Sequence, residues 1–372
     1  MNRSRPAFEA TTATTVTRDG IELLAFHGCG YLGLAHEASV VAAARDALER
    51  YGASGLASRT TSGNLDLHER LEERLADHLG VEAALVVPDG YLADLAAVAG
   101  LGAKRDTALI DSGAHPSLYD AARAAGFAPV PYGEGDVSHA FALLDRAGGQ
   151  NVLVLTDGAF AMDGRLAPLP DLLRALPPEG VLVVDDCHGV GVLGDRGAGT
   201  VESFGLSDER LVVTGSLGKA LGAGGGFVAG SAANVERVRS GAASFIGTTS
   251  LAPPAAAAAL RSLEILDAEP ERLERLRANT GSLHRSARRL GIRSTGTFLP
   301  VLRVPFTRDE DARRVSAALH VEGIYAPAIR YVAPADGDAD EARTLLRIAV
   351  TSEHTAAELR RLEESLQRHL PE

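Results

Sequence analysis

Along residues 40–51 and 67–79 apolar side chains recur at helical spacing, and short apolar runs stand at 83–87, 107–110, 152–155, 181–185 and 211–214. Runs of four or five apolar residues have the length of strands shielded on both faces. Such strands, alternating with amphipathic helices, predict an α/β fold with a mostly parallel sheet covered by helices. In open sheets of this kind chemistry collects beyond the carboxyl ends of the strands. The residues that follow the apolar runs are therefore the ones to inspect.

Beyond Pro253-Pro254 the pattern turns helical over 255–290, with a break at Glu269-Pro270, where a proline ends one helix or restarts the next at its first turn. The rest reads strand (298–304), helix (309–322), strand (344–350), helix (356–369), a small α+β unit. The chain has 372 residues, enough for two cores. The expected organisation is an N-terminal arm (1–36), a large domain (37–254) and a small C-terminal α+β domain (255–372).

Charge and cysteine content narrow the function. A net charge of -12 without a basic stripe argues against nucleic acid as a partner. Cys29 and Cys187 stand far apart and outside any C-x-x-C pattern, so neither a disulfide framework nor a metal site is expected. The first fifteen residues lack the apolar region of a secretory signal, and the alanine-rich run at 253–260 is too short to cross a bilayer. The expectation is a cytoplasmic enzyme with no membrane partner.

Lysine usage is the first specific signal. Of 37 Lys and Arg residues only Lys104 and Lys219 are lysine. Lys104 sits in a polar turn and is most simply a solvated charge. Lys219 follows an apolar run, among small residues in Thr214-Gly215-Ser216-Leu217-Gly218-Lys219-Ala220. An amine that loses its proton forms a Schiff base, which a guanidinium does not. A second apolar run ends in Val183-Val184-Asp185-Asp186-Cys187-His188-Gly189. Pyridoxal 5′-phosphate (PLP) is an electron sink only while its pyridine nitrogen stays protonated, and an aspartate beside that nitrogen secures this. Asp185 suits the role. His188 is a candidate partner of the cofactor's phenolic oxygen, against the plainer reading of a histidine bonded to a loop carbonyl. Asp89-Gly90-Tyr91 marks a strand-to-helix turn that suits a phosphate, with Asp89 readable as a simple helix cap.

The glycines at 222 and 224–226 invite a nucleotide-binding reading, which fails on spacing. Val213 and Ala220 occupy the places where a phosphate loop needs Gly and Ser or Thr. The glycines also lead into Phe227-Val228-Ala229, a strand-like run, where a dinucleotide fingerprint opens a helix.

Taken together, Tyr31-Leu32-Gly33-Leu34, Ala57-Ser58-Arg59 through Ser62-Gly63 to His68, Val184-Asp185 with His188-Gly189, Gly191-Val192-Leu193-Gly194, Ser216 to Gly222 and Leu346-Arg347-Ile348 give the chain a recognisable character. It resembles the α-oxoamine synthases, PLP enzymes of fold type I, over nearly its whole length. The resemblance implies that Lys219 carries the cofactor, that Asp185 and His188 hold its ring, and that His115 stacks on it. It further implies that Gly90, Tyr91 and Ser216 hold the phosphate and that Thr249 reaches the phosphate of a neighbouring subunit, which makes a homodimer. Arg347 would bind the carboxylate of an amino-acid substrate. The implied reaction is a decarboxylative condensation of that amino acid with an acyl thioester, delivered by CoA or an acyl carrier protein.

Departures from the family pattern cluster on the substrate side. Cys29 replaces an Asn that helps to hold the substrate carboxylate, Ala161 replaces a serine near the phenolic oxygen, and Tyr331-Val332-Ala333-Pro334 replaces a Pro-Pro-Thr-Val-Pro run. These changes keep open an alternative in which the scaffold works without thioester, as an aminotransferase, decarboxylase or aldolase-type enzyme. A non-catalytic subunit is a third reading, opposed by Lys219, Asp185, His188 and Arg347.

Overall fold

The computed structural model describes residues 7–103, 106–147, 151–162, 164–293, 298–331 and 343–371. The amino-terminal residues form strands β1 (Ala10–Thr11), β2 (Thr15–Arg18) and β3 (Ile21–Ala25). The central sheet holds β4 (Ala83–Val87), β5 (Thr107–Asp111), β6 (Val130–Tyr132), β7 (Val152–Asp157), β8 (Val181–Asp185), β9 (Leu211–Ser216) and β10 (Gly226–Gly230). Their order is β4-β10-β9-β8-β7-β5-β6, and β10 alone runs against its neighbours. The mostly parallel sheet expected from the apolar runs is present. The short strand β6, whose Val-Pro-Tyr carries little pattern, was not foreseen.

Register matters most at the carboxyl ends. Asp157 of β7 pairs with Asp185 of β8, and Asp185 pairs with Thr214 of β9. Neighbouring strands lie roughly 4.8 Å apart, so these polar residues stand side by side at one edge of an otherwise apolar sheet.

Three helices cover one face: α1 (Ala38–Tyr51), α2 (Asp66–Leu79) and the helix Pro253–Ala268, which share a core containing Val40, Leu71 and Leu263. Helix α3 (Gly90–Gly102) contributes Ala93, Ala96 and Ala97 to a second core under the sheet. The helical stretch after Pro253 breaks where proline predicts, ending at Ala268 and restarting with Pro270 in its first turn.

Strands β11 (Val301–Pro305), β12 (Ile324–Tyr325), β13 (Ala328–Tyr331) and β14 (Arg343–Ala349) complete the set. An antiparallel sheet β11-β14-β13 packs through Leu302, Leu346 and Ile348 on the helices Asp309–Val321 and Ala356–His369. Strand β12 pairs in parallel with β3, and Leu24 and Phe26 join the same small core. The N-terminal residues are thus tied to the C-terminal unit. Among the described residues no helix is long and apolar enough to cross a membrane.

One buried ion pair ties α2 to the sheet. Arg59 donates to both oxygens of Glu72 at 2.8 and 3.0 Å, and Glu72 Oε1 also accepts the Val86 N–H at 2.9 Å. Removing Arg59 leaves the buried Glu72 carboxylate with the part-exposed Arg239 at 3.8 Å in place of the bidentate contact. Arg59→Ala is expected to cost about 3–5 kcal/mol in denaturant unfolding; a loss below about 1 kcal/mol would show the pair to be idle.

Candidate active site

Lys219 lies half-buried in the loop after β9, and that loop is held close by the turn at Gly222. Gly222 has φ +62, and a Cβ there would come within 2.3 Å of the Ala35 backbone nitrogen, so only glycine lets the lysine loop sit against the turn that follows Tyr31. Burial disfavours the charge of Lys219, but the acidic groups around it, Cys187 and Asp185 foremost, outweigh that and raise the amine above the ordinary lysine range. The amine must lose its proton before it adds to a carbonyl.

Asp185 faces this amine from the end of β8, its Oδ1 fixed by the Cys187 N–H at 2.9 Å. Burial foremost, then the Asp185 charge, raises the carboxyl groups of Asp94 and Asp157 well above their usual range. Those two buried side chains therefore hold protons beside Asp185 and Lys219.

His188 Nδ1 lies 2.9 Å from the hydroxyl of Tyr31. Burial, reinforced by the charges of Lys219 and Arg347, holds this imidazole well below the ordinary histidine range, so it is neutral at physiological pH. Burial likewise raises the Tyr31 phenol well above its usual range. With Nδ1 engaged by Tyr31, Nε2 is the nitrogen free to meet a ligand.

The amino end of α3 forms a concave cradle. Asp89 caps the helix, its Oδ1 accepting the Leu92 N–H at 2.8 Å, so its carboxylate is occupied within the helix turn. The first-turn N–H groups of Gly90 and Tyr91 have no carbonyl one turn back to bond, and they form an anion site beside Ser216. A Cβ on Gly90 would come within 2.9 Å of the Ser216 Cβ, so the approach of the two segments requires glycine. The Tyr91 hydroxyl donates to Asp120, and its ring meets that of His115 edge-on at 6.5 Å and 80°. His115 opens helix α4 (Pro116–Ala124), with its N–H on Asp157 Oδ1 at 2.9 Å.

Arg347 reaches the site from β14. Its Nη1 donates to the Gly28 carbonyl at 3.0 Å and its Nη2 lies 3.5 Å from Cys29 Sγ. The small sheet therefore supplies a guanidinium that the turn around Cys29 holds beside Tyr31.

The structure brings Lys219, Asp185, His188, His115, Gly90, Tyr91, Ser216, Arg347 and Cys29 to one edge of the sheet. Thr249 is different: it sits exposed on the loop before Pro253, next to Ser250, whose N–H bonds the Ala57 carbonyl at 3.0 Å. Ala161 lies in the turn after β7, closed by the Phe160 N–H on the Arg165 carbonyl at 2.9 Å. The residues that follow Tyr331 in the altered segment, Val332, Ala333 and Pro334, lie outside the described residues. Sequence reasoning passed over Asp157, which ends its apolar run as Asp185 does, and Asp94 and Ser117, which carry no signal inside helices. Tyr31 entered only as part of a motif.

These residues fit PLP: an amine for its aldehyde, a carboxylate for its pyridine nitrogen, a neutral histidine for its phenolic oxygen and a glycine-lined helix end for its phosphate. Gly90→Ala, by crowding Ser216, is expected to weaken PLP binding about tenfold or more, read by equilibrium dialysis; an unchanged affinity would place the phosphate elsewhere.

Comparison with known proteins agrees. The model of the family aminotransferase class I and II matches residues 30–366. The chain is 42% identical to the 8-amino-7-oxononanoate synthase of Stutzerimonas stutzeri, over 98% of this chain and 92% of that protein. It is 40% identical to the protein of that name from Pseudomonas aeruginosa, over 98% of this chain and 90% of that protein. A solved structure of serine palmitoyltransferase from S. paucimobilis, with a bound PLP–myriocin aldimine, superposes with a TM-score of 0.91 at 26% identity, covering 99% of this chain and 93% of that one. The chain therefore belongs to the aminotransferase class I and II family and is a PLP-dependent fold type I enzyme of the α-oxoamine synthase group.

Proposed function

We propose that the chain is an acyltransferase that joins an amino acid to an acyl thioester with loss of carbon dioxide, giving an α-aminoketone and a free thiol. The observation that carries this reading is the 42% identity to an 8-amino-7-oxononanoate synthase along 98% of the chain. The name of that product defines the finer reading. Its two terminal carbons, one bearing the amine, correspond to alanine without its carboxyl group, and the remaining seven form a heptanedioyl unit ending in a free carboxylate. Alanine and a pimeloyl thioester are thus the proposed substrates.

In this reading the large domain (37–254) holds the cofactor, the arm (1–36) supplies Cys29 and the small domain (255–372) supplies Arg347. Bound PLP supplies the carbanion stabilisation that the condensation needs. Lys219 anchors the cofactor and then moves the α-proton of the amino acid. Asp185 would keep the pyridine nitrogen protonated, and His188, braced by Tyr31, would bond the phenolic oxygen. His115 would stack on the ring, and Gly90, Tyr91 and Ser216 would hold the phosphate. Arg347 grips the substrate carboxylate; Cys29 beside it offers a weak sulfur partner, so the guanidinium does most of the holding. Thr249, on its exposed loop, serves the phosphate site of a second copy, which makes the working unit a homodimer.

Two outcomes test these assignments. Borohydride treatment of the loaded enzyme is expected to fix the mass of PLP on the peptide that carries Lys219; a label at Lys104 or no label contradicts the anchor. Incubation with alanine and pimeloyl thioester is expected to yield a product whose mass is alanine plus the acyl group less carbon dioxide and the one hydrogen that leaves on the thiol. Keto acid or amine formed without thioester would favour the aminotransferase or decarboxylase reading instead.

A further inference from the structure

Behind His115 lies a buried chain of polar groups that the reaction scheme above does not use. His115 Nδ1 is 2.7 Å from Ser117 Oγ and 3.3 Å from the Ser117 backbone nitrogen. Ser117 Oγ is 2.6 Å from Asp94 Oδ2, and the Thr214 hydroxyl donates to Asp94 Oδ1 at 2.6 Å. Ser117, Asp94 and Thr214 are each at most 1% exposed, so water does not complete these bonds.

The protons along this chain follow from valence. A backbone N–H only donates, so Nδ1, which receives the Ser117 N–H, is an acceptor and carries no proton. The Ser117 hydroxyl at 2.7 Å from the same nitrogen must then donate to it. Its single proton is used, yet its oxygen stands 2.6 Å from Asp94 Oδ2, a hydrogen-bond distance that needs a proton of its own. That proton belongs to Asp94. Its other oxygen accepts from Thr214, and every group is satisfied.

We infer that Asp94 is a positioning residue: as a neutral acid it donates to Ser117, Ser117 donates to His115 Nδ1, and His115 is thereby held as the tautomer whose ring proton is on Nε2. Burial and the neighbouring Asp185 favour the same protonated form of Asp94. The groups facing it include Ser117, Thr214, Asp185 and Lys219, with Asp157, Cys187 and Tyr91 also within electrostatic reach. The consequence is a donor, not an acceptor, on the free nitrogen of the ring assigned to the cofactor. The inference rests on that assignment of His115 for its functional meaning, but the tautomer itself does not depend on the substrates.

The test uses the full chain, free of cofactor and labelled with 15N-histidine, with the His115 ring signals identified by their loss in His115→Gln. Wild type is expected to show the proton on Nε2. Asp94→Asn is the informative variant, because an amide N–H replaces the acid O–H as donor to Ser117. It is expected to keep the Nε2–H pattern. Ser117→Ala removes the hydroxyl at 2.7 Å and leaves only the longer backbone N–H contact of 3.3 Å on Nδ1, so part of the population is expected to shift to the Nδ1–H form; Ser117→Thr, which retains the hydroxyl, is expected to restore the single tautomer. A proton on Nδ1 in wild type or in Asp94→Asn, or an unchanged pattern in Ser117→Ala, would overturn the inference.

Discussion

The site depends on one electrostatic constraint: a lysine amine and a carboxylate facing each other where parallel strands end and water is largely excluded. Burial works against the charge on Lys219, and the acidic groups around it outweigh burial and raise the amine above the ordinary lysine range. More than one buried carboxylate charge at this edge would be unaffordable, and the chain resolves this by burying Asp94 and Asp157 with their protons. They act as buried hydrogen-bonding groups around Asp185, Asp94 with Ser117 and Thr214 and Asp157 with the His115 N–H. The sheet register makes the arrangement unavoidable, since Asp157, Asp185 and Thr214 are neighbours across three strands.

Around that centre each fold element has a positional task. The antiparallel strand β10 lets the loop carrying Lys219 turn back, and Gly222 and Gly90 permit close approaches that a Cβ would block. The small sheet, tied to the amino-terminal strands through β3 and β12, brings Arg347 to the turn around Cys29. Arg347 and Lys219 are thus supplied by separate parts of the molecule, and the Tyr31–His188 contact links the turn around Cys29 to the end of β8.

Much of this was legible in the sequence because the informative residues end apolar runs. Asp185, Gly90 and Lys219 follow strands β8, β4 and β9, and the rarity of lysine made Lys219 conspicuous. What stayed hidden has a common cause. Asp94 and Ser117 lie inside helices, where a polar residue looks like surface until packing buries it. Strands β1 to β3, β6, β12 and β13 are two to five residues long, too short for a period to show. The pairing of β3 with β12 spans about three hundred residues, beyond the reach of local pattern.

The central claim is that Asp185 holds the proton on the pyridine nitrogen of PLP. The direct measurement is 15N NMR of enzyme loaded with PLP labelled at that nitrogen, compared with Asp185→Asn. A protonated nitrogen at neutral pH in wild type that loses its proton in the variant is the predicted result. A nitrogen unprotonated in both, or protonated in both, would contradict the account.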